Sequence, residues 1–410
     1  MKKAFKVTAG VGAVALAVLL CFLIYISKQL PEKYMINEGE HFGIRSRFGV
    51  TAATENKGQA KQVLTQSGNI YKTELKFLGA IPFKEVTVEV VDKQMVQACG
   101  TPFGIKMFTE GVMVVGLSDL NTNAGAVNPA KDSGIKIGDV IMRMDGKEVY
   151  SNEQVGEIVA GSEGKAIKVV LKRKNTVFTV IMTPGKGSVD GGYKAGMWVR
   201  DSSAGIGTMT FYDPISGVFG GLGHAVCDVD TGEILPLMSG EAVKVNITGC
   251  VKGASGSPGE LQGSFYENSK LGNLYLNAET GIYGTLSSEL TPPVLVPIAF
   301  RQEVKASSAS ILTTLDGNAP QKYDIMIEKV SFGDGNPTKN MIIRITDPIL
   351  LAKTGGIIQG MSGSPILQDG KLVGAVTHVF VNDPTRGFGI FAENMYYSID
   401  NVENAMRKAS

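Results

Sequence analysis

The chain opens on an uncharged, mostly apolar stretch from Val7 to Ser27, with Lys2, Lys3 and Lys6 before it and Lys28 after it. Its 21 residues match the roughly 20 that a helix needs to cross a hydrocarbon core. It is longer than the apolar region of a cleavable signal, and no small-x-small cleavage site follows it, so an uncleaved anchor over 1–29 is expected. Basic residues on the inner side place the rest of the chain outside the cytoplasm. Beyond the anchor the period falls to two. Tyr71 to Phe77 and Val86 to Val91 alternate as strands of a small β unit over 30–100, while Thr51 to Asn69 reads as loop or weak strand. Apolar residues at helical spacing return near Asn152 (Val155, Ile158, Val159) and in the last residues, Asn394 to Lys408 (Ile399, Val402, Met406). Between 193 and 410 short apolar runs dominate, among them Met209 to Tyr212, Ile282 to Leu286, Met341 to Ile345 and Leu372 to Val379. The pattern predicts a mainly β protein.

Composition narrows the function classes. With 40 Lys+Arg against 39 Asp+Glu the net charge is +1, which offers no basic surface for nucleic acid. The 51 glycines cluster between β-branched runs and suit many tight turns. Cys21, Cys99, Cys227 and Cys250 have no paired spacing, and His41, His224 and His378 are far apart, so neither a disulfide scaffold, a metal site nor a cofactor is implied. His41, among polar neighbours, reads as a solvated side chain.

One run carries a fold signal. Ser133-Gly134-Ile135-Lys136-Ile137-Gly138-Asp139-Val140-Ile141, ending in Asp145-Gly146, resembles the signature of PDZ domains. It needs a short helical turn from Pro129 to Ser133, a glycine turn into a strand, and a hairpin turn at positive φ. The resemblance implies a PDZ domain over 101–185 that adds a peptide as an extra strand. Thr109, Glu110 and Gly111 are expected as the loop that receives the peptide, Val112 and Val114 as its edge strand, and the helix at Asn152 as the other wall. Pro184 to Gly192 reads as a linker.

A second run carries chemistry. Gly360-Met361-Ser362-Gly363-Ser364-Pro365 resembles the nucleophile turn of chymotrypsin-like proteases. A serine hydroxyl attacks only when a base takes its proton, so it must project from a tight turn. The same turn aims the N–H groups of Gly360 and Ser362 at an oxyanion. The resemblance implies two six-stranded barrels over 193–410. Gly253-Ala254-Ser255-Gly256-Ser257-Pro258 repeats the letters but lies 31 residues after His224, too near to divide base and nucleophile between two barrels. It also lacks a strand like Leu372 to Thr377, and is expected to be a structural turn. His224, in a glycine-rich turn upstream of the serine, is preferred as base over His378, 16 residues after it. The acid is the least determined member: Asp347, 15 residues before Ser362, competes with Asp213, Asp228 and Asp324.

The whole chain resembles the stage IV sporulation protein B peptidases of endospore-forming Firmicutes. The resemblance rests on Trp198 to Thr208, Leu222-Gly223-His224, Ser257 to Leu261 and Gln359 to Pro365. It implies a His224, Asp347, Ser362 triad, and assigns Ser257 to Glu260 to a motif outside it. It further implies a sporulation protease in the space between the two spore membranes. Such a protease releases itself by self-cleavage, recognises its own amino-terminal region through the PDZ domain, and cleaves a membrane-bound inhibitor of an intramembrane metalloprotease in the sigma-K pathway. The competing expectation is a tethered PDZ adaptor with an inactive protease-like domain.

Overall fold

The structure, a computed structural model, describes all residues except Met1, 45–48, 53–65, 289, 291–293, 318, 334 and 410. Most of the Thr51 to Asn69 stretch therefore lies outside the described residues. The amino-terminal helix spans Lys2–Gln29, and its Gly10–Gln29 part, with a mean hydropathy of 2.5, is long and apolar enough to cross a membrane. Its outer end is not free. Ile26 and Leu30 are buried against Tyr34, Val86 and Val88, and the Lys84 ammonium donates to the Ser27 carbonyl at 2.8 Å. This end caps a four-stranded sheet ordered Lys33–Asn37, Ile81–Val91, Ile70–Phe77, Val50–Ala52.

The PDZ-like unit forms as its glycine pattern demands. Asn128 caps the helix Pro129–Asp132 through a bond from the Lys131 N–H, and Gly138 at φ +88° turns the chain into the strand Val140–Met144. Asp145 (φ +48°) and Gly146 (φ +81°) make the hairpin turn. The helix Asn152–Gly161 buries Val155 and Val159 against Ile141, Val169 and Leu171. Asp139, fully buried, is held by Arg173 at 2.6 Å.

Two strands cross the expected boundary between the PDZ-like and protease units. Pro102–Leu117 pairs with Met197–Tyr212 over most of its length, and its first half also pairs with Leu237–Val251. Continuing through Glu260–Ala278, Gly281–Leu286 and Val218–Gly221 back to Met197–Tyr212, these six strands close a ring. So Pro102–Leu117, expected within the PDZ domain, also supplies a barrel stave. Phe103, Ile105, Met107, Phe219 and Ile282 fill that barrel. The expected linker is a small ladder, Gly185–Lys186 on Tyr193–Lys194. A second closed barrel runs Ser308–Thr313, Gln321–Val330, Met341–Ile345, Asp383–Phe391, Lys371–Phe380, Pro365–Gln368, around Ile325, Ile343, Val373 and Val376. The terminal helix is split into Ala392–Tyr396 and Ile399–Ala409. Ser398 lies at the break and bonds the Thr280 hydroxyl at 2.7 Å, while Ile399 and Val402 are buried as the period predicts.

Candidate active site

Ser362 and His224 come from different barrels and both lie on the strand Lys371–Phe380, Ser362 through the Thr377 carbonyl and His224 through the His378 ring. The strand Met197–Tyr212 does most of the joining. Thr208 donates its N–H to the Ser362 carbonyl at 3.0 Å and its hydroxyl to the Gly360 carbonyl at 2.7 Å. Thr210, two residues on and so on the same face, donates its hydroxyl to the Gly363 carbonyl at 2.7 Å. On the other side of the turn, Leu261 donates its N–H to the Gln359 carbonyl and Gln359 donates to Gly259. The 257–261 segment is thus a brace for the nucleophile turn. None of these braces was visible as chemistry in the sequence, because threonine on a strand reads only as strand.

The glycines are required by contact as well as angle. At Gly363 (φ +94°) a β-carbon would lie 2.0 Å from the Thr208 carbonyl oxygen and 2.5 Å from the Leu222 nitrogen. At Gly360 (φ +93°) it would meet the Leu261 side chain at 3.0 Å. The N–H groups of Gly360 and Ser362 donate to no backbone carbonyl among the described residues, as donors reserved for an oxyanion must.

His224 is placed by strain. Leu222 (φ +66°) and Gly223 (φ +71°) are both left-handed, a conformation costing a non-glycine residue about 1–2 kcal/mol. Burial of the Leu222 side chain in the first barrel offsets it. A β-carbon at Gly223 would lie 2.9 Å from Thr377 Cγ2 and Ile390 Cγ2. The loop therefore lies on the strand that follows the nucleophile. His224 Nδ1 sits 2.8 Å from the Ala225 carbonyl. A carbonyl only accepts, so Nδ1 carries the proton and Nε2 keeps its lone pair. Burial holds the imidazole below the usual histidine range, with the Ala225 bond opposing it.

Two features differ from expectation around this pair. The Ser362 hydroxyl donates to the Thr377 carbonyl at 2.7 Å, a resting position from which it must rotate to reach a base. And Asp347 is not joined to His224. Its Oδ1 accepts from the N–H groups of Ile349 and Leu350 at 2.9 and 3.0 Å, capping the helix Pro348–Thr354. Asp before Pro is a helix-start signal, and the cap occupies one oxygen of the carboxylate. Asp213 is held by Ile215 and Ser216, Asp228 by Arg200, Asp230 and Thr231; Asp324 receives Thr346 and Asp347 on its carbonyl. The neighbour of the His224 ring is His378, at 4.8 Å between centroids.

Ser255 lies in a turn closed by reciprocal bonds between Ala254 and Ser257, its hydroxyl on the Asn382 carbonyl at 3.0 Å. A strand does follow it, Glu260–Ala278, contrary to expectation; what separates it from Ser362 is that its hydroxyl bonds the Asn382 carbonyl, whereas that of Ser362 bonds the Thr377 carbonyl beside the His224–His378 pair. His41 is exposed.

The expected peptide edge is also relocated. Val112 and Val114 are buried, and their strand pairs with Val140–Met144 on one side and Met197–Tyr212 on the other. A strand with both edges paired cannot take a third partner. Thr109 is buried with its hydroxyl on the Gly111 and Asp201 carbonyls; the Glu110 N–H goes to Pro236; Gly111 has no room for a β-carbon against the Ile141 carbonyl. The open edge is Met197 to Ile206, which pairs on its far side with no other strand among the described residues. It begins beside the helix Asn152–Gly161, whose Asn152 N–H is capped by Asp201 at 2.9 Å.

The cap and the triad role of Asp347 separate in one variant. Asparagine caps a helix as well as aspartate does, so Asp347→Asn should keep wild-type stability. A triad acid replaced by its amide loses about four orders of magnitude in kcat, the loss that the resemblance implies for Asp347→Asn; activity within a few fold of wild type would leave only the cap. Asp347→Ala should lower stability by roughly 0.5–2 kcal/mol, read by denaturant unfolding.

A stretch of 199 residues, 46% of this chain, is 26% identical to a protein of Lactococcus lactis subsp. lactis named as a zinc metalloprotease. The chain spans only 41% of that relative's length. Among solved structures, the PDZ domain of an SdrC-like protein of Listeria monocytogenes covers 22% of this chain and 87% of its own, at 19% identity and a TM-score of 0.18. The active form of the Rv3671c protease of M. tuberculosis covers 49% of this chain and 74% of its own, at 14% identity and a TM-score of 0.27. The family model described as SpoIVB peptidase S55 matches residues 191–396, from the ladder before the Met197–Tyr212 strand to the helix after the second barrel. The chain belongs to the SpoIVB peptidase S55 family and is a serine peptidase.

Proposed function

We propose that this peptidase is a membrane-tethered endopeptidase acting outside the cytoplasm during sporulation. It would cleave itself and then a membrane-associated regulatory protein, the signal that activates the late mother-cell sigma factor. The observation that supports the catalytic part is that Ser362 and His224 contact adjacent residues of one strand, Thr377 and His378, with Nδ1 of His224 on the Ala225 carbonyl. His224 Nε2 takes the Ser362 proton as Oγ attacks the scissile carbonyl, and the N–H groups of Gly360 and Ser362 receive the oxyanion. His224 then returns the proton to the leaving amine, and water releases the acyl group by the same steps. The Ala225 carbonyl holds the tautomer at rest, and Asp347, the acid that the family resemblance implies, would complete the triad. An extended segment of the substrate, or of the chain's own amino-terminal region, would add along Met197 to Ser203 beside the helix Asn152–Gly161. The apolar helix Gly10–Gln29 fits the anchor; the spore compartment and the sigma-K target rest on the family resemblance.

Ser362→Ala should abolish both fluorophosphonate labelling and cleavage of the chain's own amino-terminal segment, while Ser255→Ala leaves both near wild type. Labelling that survives in the first variant and disappears in the second would reverse the assignment. Intact peptide binding with no cleavage by the wild-type chain would favour the adaptor.

The pH profile follows from the direction of the histidine shift. Activity needs neutral His224 and is lost as pH falls through its pKa. Because burial lowers that pKa, the acid limb of kcat/KM should lie below the ordinary histidine value of about 6.5. A limb above that value would contradict the lowering by burial.

A further inference from the structure

The hairpin that joins Ile70–Phe77 to Ile81–Val91 carries an apolar tip. From Phe77 to Phe83 the chain has no charged residue, and Lys76 and Lys84 close the stretch on either side. Leu78 is 71% exposed and Ile81 41%. One exposed leucine needs no explanation; what sets this tip apart is where it lies. The Phe77 ring packs edge-on against Phe22 of the amino-terminal helix, at 5.8 Å between centroids and 76° between planes. Phe22 belongs to the apolar span Gly10–Gln29 and precedes Lys28 by six residues. At the rise of 1.5 Å per helical residue, the contact lies about 9 Å inside the charged end of that span. Resting on the reading of Gly10–Gln29 as the anchor, we propose that the tip Phe77–Phe83 is a second membrane contact. It inserts Leu78 and Ile81 at the headgroup–acyl boundary of the outer leaflet, beside the helix.

The helix cannot swing away from the sheet. Ile26 and Leu30 are buried with Tyr34, Val86 and Val88, and the Lys84 ammonium donates to the Ser27 and Leu30 carbonyls. The contacts also give direction. Phe77 and Ile81 are paired in register and stand level with Phe22; Lys84, three residues beyond Ile81, meets Ser27 and Leu30 further out along the helix. Three strand residues span about 10 Å and five to eight helical residues about 8–12 Å, so strand and helix run side by side. The tip is then the part of this sheet that reaches furthest into the bilayer, at the depth of roughly 5–10 Å that interfacial apolar groups occupy. Its turn uses backbone donors internally, as such a place requires: Leu78 donates its N–H to the Gly49 carbonyl at 2.8 Å, and Ala80 to the Phe77 carbonyl at 3.1 Å. Finally, Leu78 sits at φ +51°, where asparagine or glycine is the easier residue. In water an exposed leucine gains nothing to offset that strain; against acyl chains it does.

The test reconstitutes the full-length chain, as Ser362→Ala so that it stays uncleaved, in phosphatidylcholine vesicles with and without bromine on the acyl chains. Bromine quenches tryptophan that touches it, and the single native tryptophan, Trp198, supplies the baseline. Leu78→Trp and Ile81→Trp should each add blue-shifted fluorescence, most of which is lost in brominated vesicles. Ile70→Trp, at the far end of the same strand and 63% exposed in the native residue, should add fluorescence that bromine leaves unchanged. Phe22→Trp reports the anchor. Quenching of Phe22→Trp with none at Leu78→Trp or Ile81→Trp overturns the proposal and leaves the anchor standing. Quenching at Ile70→Trp as strong as at the tip also overturns it, because the sheet would then lie flat on the bilayer. If Phe22→Trp escapes quenching, the anchor reading itself fails and the proposal falls with it.

Discussion

The strand Met197–Tyr212 is the constraint on which the rest of the site depends. Side chains on a strand alternate between faces, so Thr208 and Thr210 fall on one face and both reach the nucleophile turn. A slip of one residue would turn both hydroxyls away and leave three carbonyls of that turn without donors. The register is held from both ends. Towards the PDZ-like unit, eleven residue pairs tie this strand to Pro102–Leu117; towards the first barrel, Met209 to Tyr212 pair with Phe219 to Gly221. Irregularities near Trp198 and Arg200 take up the bend between the two units. Thr208 and Thr210 keep their positions.

Around that strand the nucleophile turn is built by exclusion. Gly363 presses on the Thr208 carbonyl, Gly223 on Thr377 and Ile390, and Gly360 on Leu261. Each contact joins a segment of one barrel to a segment of the other, with no space left for a β-carbon. The strained Leu222–Gly223 pair belongs to the same arrangement. Its left-handed backbone is tolerated because the Leu222 side chain is buried, and it delivers His224 to the junction.

Much of this was legible in the sequence, where local rules decide. The PDZ-like turns, the strands Met341–Ile345 and Leu372–Val379, and the apolar amino-terminal helix follow from period, glycine and length alone. The Ser362 turn was legible because its chemistry demands glycines in a fixed order. What failed depended on long-range pairing. Val112 and Val114 look like an edge because their alternation says nothing of how many neighbours a strand has; here it has two. Asp347, the acid that the resemblance implies, also caps the first turn of Pro348–Thr354 through one oxygen, a bond that only the folded helix shows. Thr208, Thr210 and Leu261 were invisible as site residues, since only the closing of the first barrel brings them to Ser362.

The same long-range closure sets the hydrogen bonding of the junction: Gly363 donates to Val376, Ser364 to Met361 and Leu222 to Thr208, while Gly360 and Ser362 donate to no backbone carbonyl among the described residues. The Ala225 carbonyl, one residue along the chain from His224, selects the tautomer by hydrogen-bond polarity alone. A second histidine, neutral at working pH, can stand beside the first without demanding a counter-charge. What is left unspent at the half-buried junction is the pair of N–H groups of Gly360 and Ser362, fixed dipoles of the kind that stabilise a developing oxyanion.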